Sequence, residues 1–170
     1  MSMLQKIDPK VIQENAIKLI GEEWMLIAAG NADRFNMMTA SWGMMGFLWN
    51  KPVVTVFVRP QRYTFEFMEN NAYFTLDFLG KENRKALNVC GSISGRCANK
   101  IEKSGLTPGF TLLGNPFFEE ARLVLECKKI YADWLKEDAF WEKTPITESY
   151  PEKDFHKIYV GEIVNAWMKK

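Results

Sequence analysis

A mainly β chain with peripheral helices, folded as an antiparallel barrel of the Greek-key type, is what this sequence predicts. Three observations carry that expectation. Short runs rich in β-branched and aromatic residues recur along the chain, bounded by Gly, Pro, Asn and Asp. Helical spacings fall between them irregularly, without the strict strand–helix alternation of a doubly wound parallel sheet. The turn after the first strand, Gly30-Asn31-Ala32-Asp33, lacks the glycine-rich pattern that holds a dinucleotide pyrophosphate in such sheets.

Each element has its own local reason. Asp8-Pro9 reads as a helix start, with Asp at the N-cap and Pro where a missing N–H costs nothing. Val11, Ile12, Ala16, Leu19 and Ile20 continue at helical spacing, and Gly21 suits the stop. Trp24 to Ala29 reads as the first strand, Asn36 to Trp42 as the second and Val53 to Val58 as the third, with Pro52 at an opening position that a non-donor tolerates. A short helix is expected over Tyr63 to Asn70 and a fourth strand over Ala72 to Leu79. Helices at Lys81 to Val89 and Arg96 to Ser104 flank a Gly/Ser loop, Cys90 to Gly95. Ala121 to Leu135 and Lys157 to Trp167 are β-rich, and the polar connection Lys136 to Asp154 between them carries a net charge of −3.

Composition narrows the classes. The 170 residues, 47% hydrophobic, suit one domain spanning 1–170 with a substantial core, and no repeat or linker divides them. A net charge of +1 gives no bulk attraction to nucleic acid or an anionic membrane. Cys90, Cys97 and Cys127 form no disulfide framework, and a single histidine leaves no zinc-ligand spacing. No apolar run nears the ~20 residues of a membrane span, and the first residues do not read as a signal peptide. A cytoplasmic setting is expected.

Three segments concentrate chemistry. In Thr39-Ala40-Ser41-Trp42, strand alternation sends Thr39 and Ser41 to one face, and small donors there suit the polar edge of a planar ligand. Arg59-Pro60-Gln61-Arg62-Tyr63-Thr64 sets two guanidiniums beside a helix start, an arrangement suited to an anion. Between Lys81 and Lys103 lie six basic residues against two acidic ones, with glycines that allow close backbone approach. Read alone, each is also compatible with a solvated loop or strand end. His156, ahead of the last strand, has an intrinsic pKa near neutrality and reads equally as a surface residue. Cys90 and Cys97 stand in a basic stretch that favours a thiolate or are buried spectators. Trp42, Phe47 and Trp49, and likewise Trp134, Phe140 and Trp141, suit a ligand face, a dimer surface or plain core.

Taken in order, these motifs resemble the flavin reductase-like family of split-barrel flavoproteins, from about Trp24 to Trp167. The matching pieces are the Thr39 to Trp42 strand, the Arg-Pro-x-Arg-x-Thr segment, a Cys-Gly-x-x-Ser-Gly-Arg pattern at Cys90, Gly91, Ser94, Gly95 and Arg96, and His156 before Gly161-Glu162. The resemblance implies an FMN-binding split barrel that homodimerises, with FMN near the subunit interface. It implies a cofactor-contacting role for Thr39, Ala40, Ser41 and Trp42. It places Arg59, Arg62 and Thr64 at the phosphate with Gln61 and Tyr63 beside them, and Cys90, Gly91, Ser94, Gly95, Arg96 and Lys100 over the phosphate end. His156 falls by the ring as the catalytic candidate. Asn36-Met37-Met38 and the 136–154 connection depart from the family pattern and bear on substrate, not cofactor.

The implied activity is that of a flavin reductase using NADH or NADPH. The alternative is a flavoredoxin-like electron carrier fed by a redox protein partner, and a third reading is flavin binding without turnover.

Overall fold

The computed structural model describes residues 4–169. The described residues open with β1 (Leu4–Ile7), a strand the sequence reading did not anticipate. Asp8 does cap the next turn, its Oδ1 accepting the Lys10 N–H at 2.9 Å, but only a 3-10 turn at Pro9–Val11 follows. The expected continuous helix is broken. Asn15 caps a fresh start at α1 (Ala16–Lys18), which widens into a turn over Leu19–Glu23. Leu19 and Ile20 are buried while Val11 and Ile17 face solvent, so the helical spacing never forms one buried stripe.

Trp24, at φ +70°, turns the chain into β2 (Met25–Gly30), and β3 (Phe35–Ala40) returns beside it. The second strand thus stops before Ser41 and Trp42. After that link comes β4 (Gly43–Leu48), also unanticipated, because Gly-Met-Met-Gly-Phe-Leu carries no β-branched residue. Trp49 and Asn50 both take positive φ, as a two-residue hairpin requires, and lead into β5 (Lys51–Val58). Then follow α2 (Tyr63–Asn70) and β6 (Tyr73–Phe78), at the places the sequence indicates.

A 3-10 turn at Lys81–Asn83 runs into α3 (Arg84–Ser92), so Cys90, Gly91 and Ser92, expected in a loop, form the last helical turn. The next helix is shorter than expected: α4 (Lys100–Ser104) starts where Asn99 accepts the Ile101 and Glu102 N–H groups. A small hairpin, β7 (Pro108–Phe110) with β8 (Pro116–Phe118), precedes the long β9 (Leu123–Trp134). The polar connection holds a 3-10 turn at Glu137–Ala139 and α5 (Thr144–Ser149), and β10 (Lys157–Lys169) ends the chain.

The main sheet is antiparallel in the order β3-β2-β6-β9-β10-β5-β4, with β1 beside β10. Strand β10 pairs with β9 along its length, and its other edge takes β5 first and β1 after it. Interruptions of register at Val160/Gly161 and Ile163/Asn165 bend it. Gly161 sits where a Cβ would come within 2.7 Å of the Phe74 ring. The two terminal strands of the order, β3 and β4, are joined by Ser41-Trp42 but do not pair, which leaves a slit at that link.

Two cores follow from strand alternation. Met25, Ile27, Val54, Val56, Phe74, Leu76, Leu125 and Tyr159 fill one. On the other face, Leu26, Ala28, Leu87, Cys90, Phe117, Phe118 and Val124 pack beneath α3 and the β7–β8 hairpin. Strand β2 is therefore buried on both sides, the reason its run Met-Leu-Ile-Ala-Ala is unbroken in hydrophobicity. No helix among the described residues is long and apolar enough to cross a membrane.

Candidate functional site

The end of β3 and the Ser41-Trp42 link after it border a cavity of 420 Å³, within the range of small-molecule sites. Four separate stretches wall it: Met38 to Trp42, Phe57 to Thr64, Ser92 to Ser94 with Lys100, and His156. Of the residues singled out in the sequence, Thr39, Ala40, Ser41, Trp42, Arg59, Gln61, Arg62, Tyr63, Thr64, Ser94, Lys100 and His156 all line it.

One group of these is tied to the end of α3 and is cationic. Arg62 Nη1 donates to the Gly91 carbonyl at 2.8 Å, and its other guanidinium N–H groups have no partner among the described residues. Lys100 is 6% exposed and donates to the carbonyls of Met37 (2.7 Å) and Cys90 (2.8 Å). An ammonium has three protons, so one remains for the cavity. Burial lowers the Lys100 pKa to about 8, against the pull of Cys90 and with the push of Arg62. Thr64 is buried and its Oγ1 accepts from Asn36 Nδ2 at 2.8 Å. Thr39 Oγ1 donates to the Leu87 carbonyl at 2.5 Å, which leaves that hydroxyl only acceptor capacity for a ligand. Tyr63 accepts from Arg34 at 2.8 Å, and Arg96 stacks over its ring at 4.7 Å.

A second group is aromatic. His156 is 8% exposed, with the rings of Trp42 at 5.3 Å, Tyr150 at 5.5 Å and Phe57 at 6.3 Å. Burial, helped by the charge of Arg59, drops the imidazole pKa to about 4, so it is neutral at physiological pH. Its Nδ1 lies 2.8 Å from the Tyr150 hydroxyl. Arg59 is engaged from the same side. It donates to Asp154 Oδ2 at 2.6 Å and to the Ser149 carbonyl at 2.7 Å, and Gln61 reaches the same carboxylate oxygen at 2.5 Å.

The glycine-rich pattern divides. Cys90 is buried in the second core, and burial raises its thiol pKa, so it does not reach the cavity wall. Gly91 lines an adjoining cavity of 270 Å³ that shares Thr39, Ser41 and Ser92 with the first. Gly95 is a packing position: a Cβ there would collide with Asn36 Oδ1. Arg96 lies outside the lining, bridged to Glu66 and to the Gln61 carbonyl. Ser92, from the Gly/Ser segment, completes the wall with Met38, Phe57 and Ile93, which were not foreseen. Phe57 was visible as the residue before Val58-Arg59 on the exposed alternation of β5. Tyr150 and Asp154 carried no signal beyond lying in the acidic connection.

The residues fit a phosphate-bearing aromatic ligand: cations with unspent donors at one group, flat rings at the other. The sequence model of the family described as "Flavin reductase like domain" matches residues 18–170. Among solved structures, the flavoredoxin from Methanosarcina acetivorans superposes with a TM-score of 0.67 at 23% identity, covering 98% of this chain and 75% of that one. The FMN-binding domain of a flavin reductase-like enzyme from Shewanella baltica OS155 gives 0.69 at 21%, covering 98% and 77%. An NADH:FAD oxidoreductase from Streptomyces globisporus, in complex with NAD and FAD fragments, gives 0.64 at 16%, covering 85% and 73%. The shared fold is the split β-barrel. Comparison with curated proteins returned no match.

Proposed function

This chain belongs to the flavin reductase-like family, and from that premise we propose that it is an FMN-binding oxidoreductase, a flavin reductase whose electrons come from NADH or NADPH. The observation that carries the reading is the convergence of four distant stretches on one cavity with cations in one group and aromatic rings in the other. Bound there, FMN would supply reversible two-electron chemistry.

The chain's residues hold and orient. Arg62 and the buried Lys100 take the phosphate, with Ser94 and Tyr63 as neutral donors and Thr64 as part of the wall. Arg59, already paired with Asp154, contributes its charge while fixing the far wall. Thr39, Ala40, Ser41 and Trp42 border the ligand along the slit, and Trp42 and Phe57 exclude water from one side. His156, neutral, offers a hydrogen bond and not a charge. Gly91, Gly95, Arg96 and Cys90 support the site from behind.

A homodimer is part of this reading. Strand β4 and the hairpin turn after it leave Met44, Phe47, Leu48 and Trp49 exposed, an apolar strip of the kind a second copy covers. The three free cysteines suit a reducing compartment such as the cytoplasm.

A second reading, an FMN electron carrier fed by a redox protein, is favoured by the similarity to flavoredoxin structures. One experiment separates the cases. The protein is incubated with FMN, repurified and its visible spectrum recorded; near-stoichiometric flavin is expected. Anaerobic addition of NADH or NADPH then bleaches it if the protein is a reductase. Inert nicotinamides with rapid reduction by a ferredoxin-type donor would replace the first reading with the second.

A further inference from the structure

His156 is the chain's single histidine, and its neutral imidazole carries one N–H whose position decides what the ring offers the cavity. The partner at Nδ1 is the Tyr150 hydroxyl, 2.8 Å away. Tyr150 is 4% exposed, burial pushes its phenol above the usual range, and among the described residues its hydroxyl has no other hydrogen-bonding partner. A buried O–H without an acceptor is costly, and Nδ1 is the acceptor within reach. The opposite arrangement, with Nδ1–H pointing at Tyr150, would strand the phenol proton. Nε2 has no hydrogen-bond partner among the described residues, yet it is not one of the sealed, unsatisfied atoms, so it stands open on a ring that lines the cavity.

We propose that Tyr150 is a positioning residue that fixes His156 in the Nε2–H form, so that the imidazole presents a hydrogen-bond donor to an acceptor atom of the bound heterocycle. The identity of that heterocycle rests on the flavin reading; the tautomer does not.

Tyr150 is itself held in place. The Arg59 guanidinium lies 5.2 Å from its ring and donates to the carbonyl of the preceding Ser149. Phe155, at 4.8 Å, and Phe140, at 6.2 Å, pack on other sides. The 136–154 connection thus carries the group that orients the imidazole. A donor there strengthens its bond as an acceptor gains electron density, so it favours the reduced ligand over the oxidised one.

The test uses untagged, ligand-free protein labelled with ¹⁵N-histidine, which yields one imidazole. A long-range ¹H–¹⁵N correlation at pH 7 is expected to show protonated Nε2 and bare Nδ1, and Tyr150→Phe is expected to mix the two forms. An Nδ1–H form in the unaltered protein, or the same pattern in Tyr150→Phe, overturns the proposal. Should Tyr150→Phe not fold, the unaltered spectrum alone decides. With FMN bound, Tyr150→Phe is expected to keep the dissociation constant of oxidised FMN within about twofold and to shift the oxidised-to-reduced balance about tenfold toward oxidised, about 30 mV for two electrons. An unmoved potential overturns the positioning role. A protein that takes up no FMN defeats the flavin reading instead, and the ligand-free spectrum still decides the tautomer.

Discussion

Arg59 and Asp154, 95 residues apart in sequence, meet at 2.6 Å between Nη1 and Oδ2 and hold the end of the acidic connection against the cavity. Asp154 Oδ1 is buried without a hydrogen-bond partner among the described residues, so the carboxylate depends on this one side. Arg59→Ala is expected to lower unfolding free energy by about 1 kcal/mol, because it leaves a half-buried carboxylate with Gln61 alone. Arg62→Ala removes a more exposed guanidinium and is expected to leave stability nearly unchanged while weakening FMN binding about tenfold or more. Urea denaturation and flavin-fluorescence titration of the two variants check this division. Equal loss of FMN affinity in both would return Arg59 to the phosphate.

Lys100 makes FMN affinity depend on pH. With its pKa lowered to about 8, it is charged below that value and neutral above it. Affinity is therefore expected to fall as pH rises through about 8, and to become flat across that window in Lys100→Met. The variant also strips the Met37 and Cys90 carbonyls of their donor, at about 1–3 kcal/mol of stability. Titrations at pH 7 and 9 are the check.

Asp77 gives a pH dependence of opposite origin. Burial raises its pKa to about 7. The Thr75 hydroxyl lies 2.6 Å from the Pro116 carbonyl and 2.9 Å from Asp77 Oδ2, and with one proton it donates to only one of them. A protonated Asp77 donating to Thr75 resolves the conflict. Unfolded aspartate titrates near 4, so the folded state keeps a proton that the unfolded state releases between about pH 4 and 7. This group's contribution to stability falls as pH rises through that window and is level above it. Asp77→Asn is expected to flatten the slope, leaving the variant less stable than the parent at pH 5 relative to pH 8. Denaturation at the two pH values decides.

Charge placed on β4 is expected to separate the proposed dimer. Phe47 is 65% and Met44 58% exposed, so Phe47→Glu with Met44→Glu disturbs no core. Sedimentation is expected to read a dimer for the unaltered protein and a monomer for the double variant. A monomer in both would remove the dimer from the proposal.

Much of the fold was legible where local and tertiary preferences agree. Helix α2 falls at Tyr63–Asn70 as expected, and β5 is an apolar β-branched run with Pro52 near its start. Reading failed where packing overrides the local pattern. Helical spacing at Val11 to Ile20 predicts a continuous helix, yet Ile17 is 84% exposed and the segment breaks into turns. Edge strand β4, rich in Met and Gly, shows no strand propensity because its reason to exist is pairing with β5. Cys90 was expected over the ligand, and instead lies on the buried face of α3, since a helix that continues to Ser92 turns it inward.

By itself the sequence determined the class of the fold and the order of the segments that line the cavity, because strand patterning and the Arg-Pro-x-Arg-x-Thr turn are local features. Only the tertiary structure decided which donors are free. Thr39 spends its proton on Leu87, Arg59 on Asp154, and Tyr150 meets His156 from a connection that reads as solvated loop. Such commitments join residues as many as 95 positions apart. No local spacing encodes them, because they exist only once burial has removed water as the competing partner.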